Sequence, residues 1–373
     1  MRKIFLFVIF ITSIFQCFAQ RNSSNLFGGL LEEKNQRTVV VPSIYYLPET
    51  NWHFGVAGFS YFKLNRNEEG VKDSITRPSQ VRMALGYTLN KQIVFWLPAE
   101  IFFKENKYRL LAEVGFYRWP YFFNGIGNNY ETLYEEKYTA SFPRARLAFQ
   151  KRLGKSIYLG PRYWFQYLKM NKVEQGGLIE KGQVPGGGGG VNSGIGISFL
   201  YDNRNSVFAS TKGWYAEYSN LFNQSFLGSD FNFNTHIVDV RKYIDIKSNH
   251  VVAIQGYGKF NFGDVPFNQM SLMGGPFRMR GYREGRYRDK HIAEVQLEYR
   301  TPLVYRTGLV VFGAYGMVAN KPQNLIFKNG KTSIGGGLRY SLDEKDRMHI
   351  RFDYAWGQGK ENRYGYFTIG ESF

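Results

Sequence analysis

Cysteine is nearly absent from this chain of 373 residues: the only one is Cys17. A disulfide framework is therefore excluded, and no thiol chemistry is available beyond the first residues. Long apolar runs are just as scarce. A membrane helix needs about 18 or more consecutive apolar residues, and the one stretch approaching that lies at the extreme N-terminus. Helical membrane proteins are excluded on that ground. Histidine clusters are missing too, since His53, His236, His250, His291 and His349 are scattered without HExxH or other tight ligand spacing. No G-x-S-x-G elbow occurs, and no Ser/His/Asp arrangement is visible. The run PGGGGG at 185–190 has no following GK[ST], so it reads as a flexible loop rather than a phosphate cradle. Carboxylate pairs (Glu32-Glu33, Glu68-Glu69, Glu135-Glu136) fall in linker or loop segments, where solvated charge is the ordinary meaning. The chain reads as non-enzymatic, with no cofactor and no metal site.

Aromatic residues, by contrast, are abundant: 33 Phe and 27 Tyr bring them to 18%, within a hydrophobic share of 43%. That content excludes disorder, because it can bury a core or coat a membrane-facing wall. Arg2 and Lys3, the apolar stretch 4–18 and Cys17-Phe18-Ala19 together read as a signal peptide cut before Gln20. Residues 1–19 are thus expected to be removed, 20–37 to form a short periplasmic tether, and 38–373 to form the folded body. Charge is read after export. The full chain carries 48 − 30 = +18, and loss of Arg2 and Lys3 leaves +16. In an exported protein such a surplus meets anionic head groups, so outer-membrane lipids and lipopolysaccharide are expected partners and nucleic acid is not.

From Thr38 onwards the hydrophobic period is two. In 291–300, HIAEVQLEYR, Ala293, Val295, Leu297 and Tyr299 share one face, while Glu294, Gln296, Glu298 and Arg300 share the other. An apolar outer face and a polar inner face are what a transmembrane barrel wall requires. Comparable segments recur at 38–46, 52–63, 79–89, 93–104, 108–118, 140–152, 155–170 and 191–202. They continue at 212–222, 233–246, 249–260, 291–302, 307–318, 332–342, 347–357 and 364–373. The expectation is an all-β, antiparallel transmembrane barrel of about 16 strands. Connections after odd-numbered strands include the long 119–139, 171–190 and 261–290, as extracellular loops would be; 64–78 is long on the opposite, periplasmic side. Trp52, Trp96, Trp119, Tyr121, Trp164, Trp214 and Trp356 are expected in the aromatic girdles.

Residues 264–302 contain Gly274-Gly275, Met279-Arg280-Gly281-Tyr282, and Leu297-Glu298-Tyr299 followed by Thr301-Pro302. This stretch resembles the barrel domain of the BamA/TamA-type outer-membrane proteins, the bacterial surface antigen family. Tyr201-Asp202-Asn203-Arg204-Asn205 with Thr211-Lys212-Gly213-Trp214 resembles the family's strand–turn–strand signature, so Asp202, Arg204 and Gly213 are site candidates. The ending, 367–373, is similar to the family's last strand with its terminal aromatic, here Phe373, an expected assembly signal. The resemblance implies that Met279, Arg280, Gly281 and Tyr282 form the tip of a loop folded into the lumen, with Arg280 paired to Glu298. Arg280 lies in a basic loop and Glu298 on the polar face of the next strand, where a bidentate pair would fix the tip. An additional Asp usually stands on the following strand in this family; here that position is Ala314.

The resemblance further implies a multi-pass barrel of the bacterial outer membrane that assists insertion, translocation or assembly of outer-membrane proteins. Relatives typically carry periplasmic polypeptide-binding domains, which 20–37 are too few to form. A subunit dependent on other outer-membrane or periplasmic proteins is therefore expected. The alternative is a non-catalytic channel or structural subunit with a loop-plugged lumen, since fold does not fix function.

Overall fold

The computed structural model describes residues 36–47, 51–62, 64, 76–128, 134–247, 249–343 and 348–373. The expected signal peptide and most of the expected tether lie outside the described residues. Eight strands come first: β1 (Gln36–Leu47), β2 (Asn51–Phe62), β3 (Ser79–Thr88), β4 (Ile93–Phe103), β5 (Tyr108–Phe123), β6 (Glu136–Arg152), β7 (Ile157–Val173) and β8 (Gly189–Asp202). β9 (Gly213–Asn223), β10 (Phe233–Lys247) and β11 (His250–Gly263) follow. Two short strands, β12 (Ser271–Met273) and β13 (Tyr287–Asp289), pair with each other inside a long connection. The wall resumes with β14 (His291–Arg300), β15 (Thr307–Ala319), β16 (Lys331–Asp343), β17 (Met348–Gly357) and β18 (Arg363–Ile369). Apart from β12 and β13, every strand belongs to one 16-stranded sheet in which chain neighbours pair antiparallel. Among the described residues no helix is long and apolar enough to cross a membrane.

Alternation of side chains explains the wall. On β14, Val295 and Leu297 are about half exposed, at 47% and 52%, whereas Glu298 is fully buried. On β8, Ile195, Ile197 and Phe199 face outward, while Asn192, Ser198 and Leu200 are buried. A one-residue slip would swap these faces, so the pattern fixes the register. The sheet curls until distant strands share one interior: a single cavity is lined from β3, β4, β5, β9, β10 and the C-terminal tail.

Several expectations need correction. Trp164 is not a girdle residue: it faces inward with the Arg146 guanidinium 3.9 Å from its ring centroid. Tyr121 likewise packs inside, stacked on Tyr138 at 5.6 Å. β5 and β6 run further than their apolar patterns suggested, taking residues at both ends of 119–139 into the wall. The glycine run at 185–190 is packed rather than free, with the Phe267 amide donating to Pro185 O at 2.8 Å. Its last two glycines open β8. At the C-terminus, β18 stops at Ile369, so Phe373 does not end a strand. Residues 370–373 turn inward instead, and Phe373 is buried against Tyr243 and Ala253.

Candidate functional site

The connection 264–290 leaves β11 and returns at β14 through the interior, touching wall strands on both sides. Gln269 Nε2 donates to Gln166 Oε1 on β7 at 2.8 Å, and Gly127 N donates to Arg288 O at 2.7 Å. On the other flank, Arg351 Nη2 of β17 donates to Pro276 O at 2.9 Å. Met273, Met279, Tyr282 and Tyr287 then form a buried apolar cluster with Ile292 and Val318 of the wall. That cluster supplies the hydrophobic contribution to docking.

The tip is a tight turn. Met279 has φ +44° and Gly281 has φ +106°. A Cβ on Gly281 would lie 2.7 Å from the β17 backbone at Gly357 N, so both conformation and space demand glycine there. Tyr366 of β18 accepts from Gly281 N at 2.9 Å and donates to Tyr282 O at 3.2 Å. Tyr282 donates its hydroxyl to Thr332 O at 2.8 Å. Burial pushes that phenol up to about 12, against the pull of the Gln358 amide, so it stays a donor at neutral pH.

Arg280 occupies the centre, with 1% of its side chain exposed. Its Nη2 lies 2.7 Å from Glu298 Oε2 on β14, and its Nη1 lies 2.6 Å from Asp353 Oδ2 on β17. The guanidinium also sits 3.4 Å from the ring centroid of Phe312 on β15. Three strands of this part of the wall, β14, β15 and β17, thus grip one cation. Each carboxylate is shared further: Arg300 Nε donates to Glu298 Oε1 at 2.7 Å, and Arg339 Nη1 donates to Asp353 Oδ1 at 2.6 Å. Charge-assisted bonds of this kind contribute about 1.5–3 kcal/mol each, and leaving a partner unpaired here costs more.

The inward-turned tail joins the same network. Ser372 Oγ donates to Glu298 Oε2 at 2.9 Å, and Arg300 Nη2 donates to Phe373 O at 3.1 Å. Glu371 meets Arg339 Nε at 2.7 Å and His349 Nδ1 at 2.8 Å. Burial alone would raise the Glu371 carboxyl, but Arg300 and Arg339, helped by His349, hold it well below the usual carboxylate range.

Asp202, Arg204 and Gly213 lie elsewhere, where the connection 203–212 joins β8 to β9. Arg204 Nε and Nη2 fork onto the Asp202 carboxylate at 2.9 and 3.0 Å, and Arg77 Nη1 adds a contact at 2.6 Å. Gly213 has φ +108°, and a Cβ there would lie 2.6 Å from Asn203 O. Arg77 belongs to the described end of 64–78, so residues 76–78 and the connection 203–212 meet at one end of the wall.

Asp353 and Glu371 were not singled out from sequence. Asp353 carried a usable signal, because Arg351 and Asp353 alternate with Phe352 and Tyr354. The second carboxylate comes from β17, not from the adjacent strand, where Ala314 stands. Among the described residues no group of His, Cys, Asp and Glu is arranged to hold a metal.

Residues 65–373 match the Omp85 superfamily domain. Protein TOC75-3, chloroplastic, of Arabidopsis thaliana is 26% identical over 166 residues, covering 39% of this chain and 19% of the relative. Protein TOC75, chloroplastic, of Pisum sativum is equally similar, and the chain spans about a fifth of these relatives' length. Among solved structures, BamA from Haemophilus ducreyi lacking POTRA domains 1–3 superposes with TM-score 0.56 at 14% identity, over 89% of this chain and 69% of that one. CdiB from Acinetobacter baumannii gives 0.54 at 12% identity, over 90% and 59%. With a family match across most of its length and a wall that is apolar outside and polar inside, this chain belongs to the Omp85 superfamily and is an outer-membrane β-barrel.

Proposed function

We propose that this barrel assists insertion, translocation or assembly of other outer-membrane polypeptides, as a subunit that depends on periplasmic or outer-membrane partners. In this reading residues 1–19 direct export, 20–37 tether, and 38–373 form the working body. One observation carries the proposal: the sheet order begins at β1 and ends at β18, and β18 is short. It spans 7 residues against 12 in β1. Because 370–373 turn into the lumen, a continuous β18 cannot cover the whole length of β1. A partly uncovered edge can template an incoming strand by β-augmentation. The clamp at Arg280 meanwhile keeps the loop docked on β14, β15 and β17, so the wall beside the seam stays ordered while the seam yields.

Depleting the protein from its host tests this. Specific outer-membrane proteins should fall in the membrane fraction, and a copy carrying Arg280→Ala should restore them poorly. An unchanged outer-membrane proteome on depletion would contradict the proposal. The filled lumen favours a second reading, a non-catalytic channel or structural subunit with a loop-plugged lumen. Large steady conductance in planar bilayers would favour a channel; a closed resting state fits either plugged form.

A further inference from the structure

Two connections reach into the lumen from its two ends, and space remains between them. At one end, 203–212 folds across the interior until Phe208 meets Phe59 and Tyr61 of β2 edge-on, at 6.1 and 5.7 Å. From the other end comes the loop 264–290, whose Phe277 faces the same space. A cavity of about 220 Å³ lies between them, bounded by Phe208, Phe277 and the tail 370–373. This is far above the roughly 10–15 Å³ that one water needs.

Four guanidiniums line it: Arg82, Arg109, Arg204 and Arg241. Three are already neutralised. Arg109 lies 2.7 Å from Glu100, Arg204 lies 2.9 Å from Asp202, and Arg241 lies 2.6 Å from Asp239. Arg82 differs. Its Nη2 donates to the neutral Gln80 Oε1 at 3.0 Å, and Glu100 acts on it electrostatically without forming a direct ion pair among the described residues. The carboxylates of the lining are taken: Glu100 also accepts from Gln80 at 2.9 Å, and Glu371 is held by Arg339 and His349. Tyr215 stands between Arg204 and Arg241, with their Cζ atoms 4.6 and 4.7 Å from its ring centroid, which fixes both side chains. One guanidinium of the wall thus has no ion pair of its own, which leaves donors for a guest.

A guanidinium offers a planar fork that matches two oxygens of a tetrahedral oxyanion. Phe208 and Phe277 would cover ester carbons beside it. We propose that this cavity is a binding site for a phosphate group, with Arg82 as its direct ligand. The source is either free phosphate or the phosphate of a lipid head group. The site does not depend on the assembly reading and is testable on the isolated barrel.

Isothermal titration of the detergent-purified full chain, first with inorganic phosphate and then with monomeric dihexanoyl phosphatidic acid, decides it. Heat-shifted gel migration confirms that each variant is folded. One-to-one binding of both ligands assigns free phosphate as sufficient; binding of the lipid alone assigns a head group. In either case Arg82→Gln should weaken binding by about tenfold or more, as loss of a charged hydrogen bond implies. Should that variant not fold, phenylglyoxal labelling of the wild type replaces it. The bound ligand should then shield Arg82 but leave the exposed Arg363 reactive. No saturable binding, equal affinity in Arg82→Gln, or an unshielded Arg82 would overturn the site.

Discussion

At the scale of single residues, the lumen loop hangs on Arg280. Its two carboxylate partners are fully buried, and although Arg300 and Arg339 also hold them, losing Arg280 removes a charge-assisted bond to each from a place poor in water. Arg280→Ala is expected to cost about 3–5 kcal/mol of loop docking. Glu298→Ala should cost a comparable amount, and the double variant should be little worse than either single. Protease cleavage of 264–290 in intact cells reads all three; strict additivity would mean the residues are not coupled. Gly281→Ala should free the loop as well, because its Cβ has nowhere to go. Acid acts through Glu371. Its carboxyl is depressed in the folded protein, so its contribution is complete above the ordinary value of about 4.3 and is lost as pH falls below that. The gap in thermal unfolding between wild type and Glu371→Gln should therefore narrow below about pH 4.3. A constant gap would show that Glu371 is not held by its ion pairs.

Among elements, the wall strands were legible and the lumen was not. Period-two alternation located all sixteen strands because one face meets lipid and the other a polar interior. It even oriented Glu298 correctly, since Leu297 and Tyr299 mark the outward face. Girdle residues were harder. A Trp beside a strand end can face either way, and Trp164 went inward to meet Arg146. Asp353 escaped because strand pairing, not sequence distance, brings β17 beside the loop tip. The turn of 370–373 into the lumen depends on Arg300, Arg339 and Glu298 from other strands, and no local pattern announces it. That tail gives a further prediction. Phe373 fills a slot beside Tyr243 and Ala253, so deleting it should lower the amount of assembled barrel in the outer membrane. Unchanged levels would show that neither docking nor recognition of the tail matters.

For the whole molecule, sixteen strands pair with their neighbours in one continuous sheet. Such barrels resist detergent until heated, so the purified protein should migrate faster unboiled than boiled, with a β-type circular dichroism spectrum. The weak place in this design is the junction of β18 with β1, where a seven-residue strand meets a longer one. Site-specific photo-crosslinking along β1 and β18 during synthesis of outer-membrane proteins addresses that junction directly. The account predicts crosslinks to incoming polypeptides at seam positions and none at mid-wall positions of β7 or β8. Seam positions that capture no polypeptide, or no more than the mid-wall does, would contradict it.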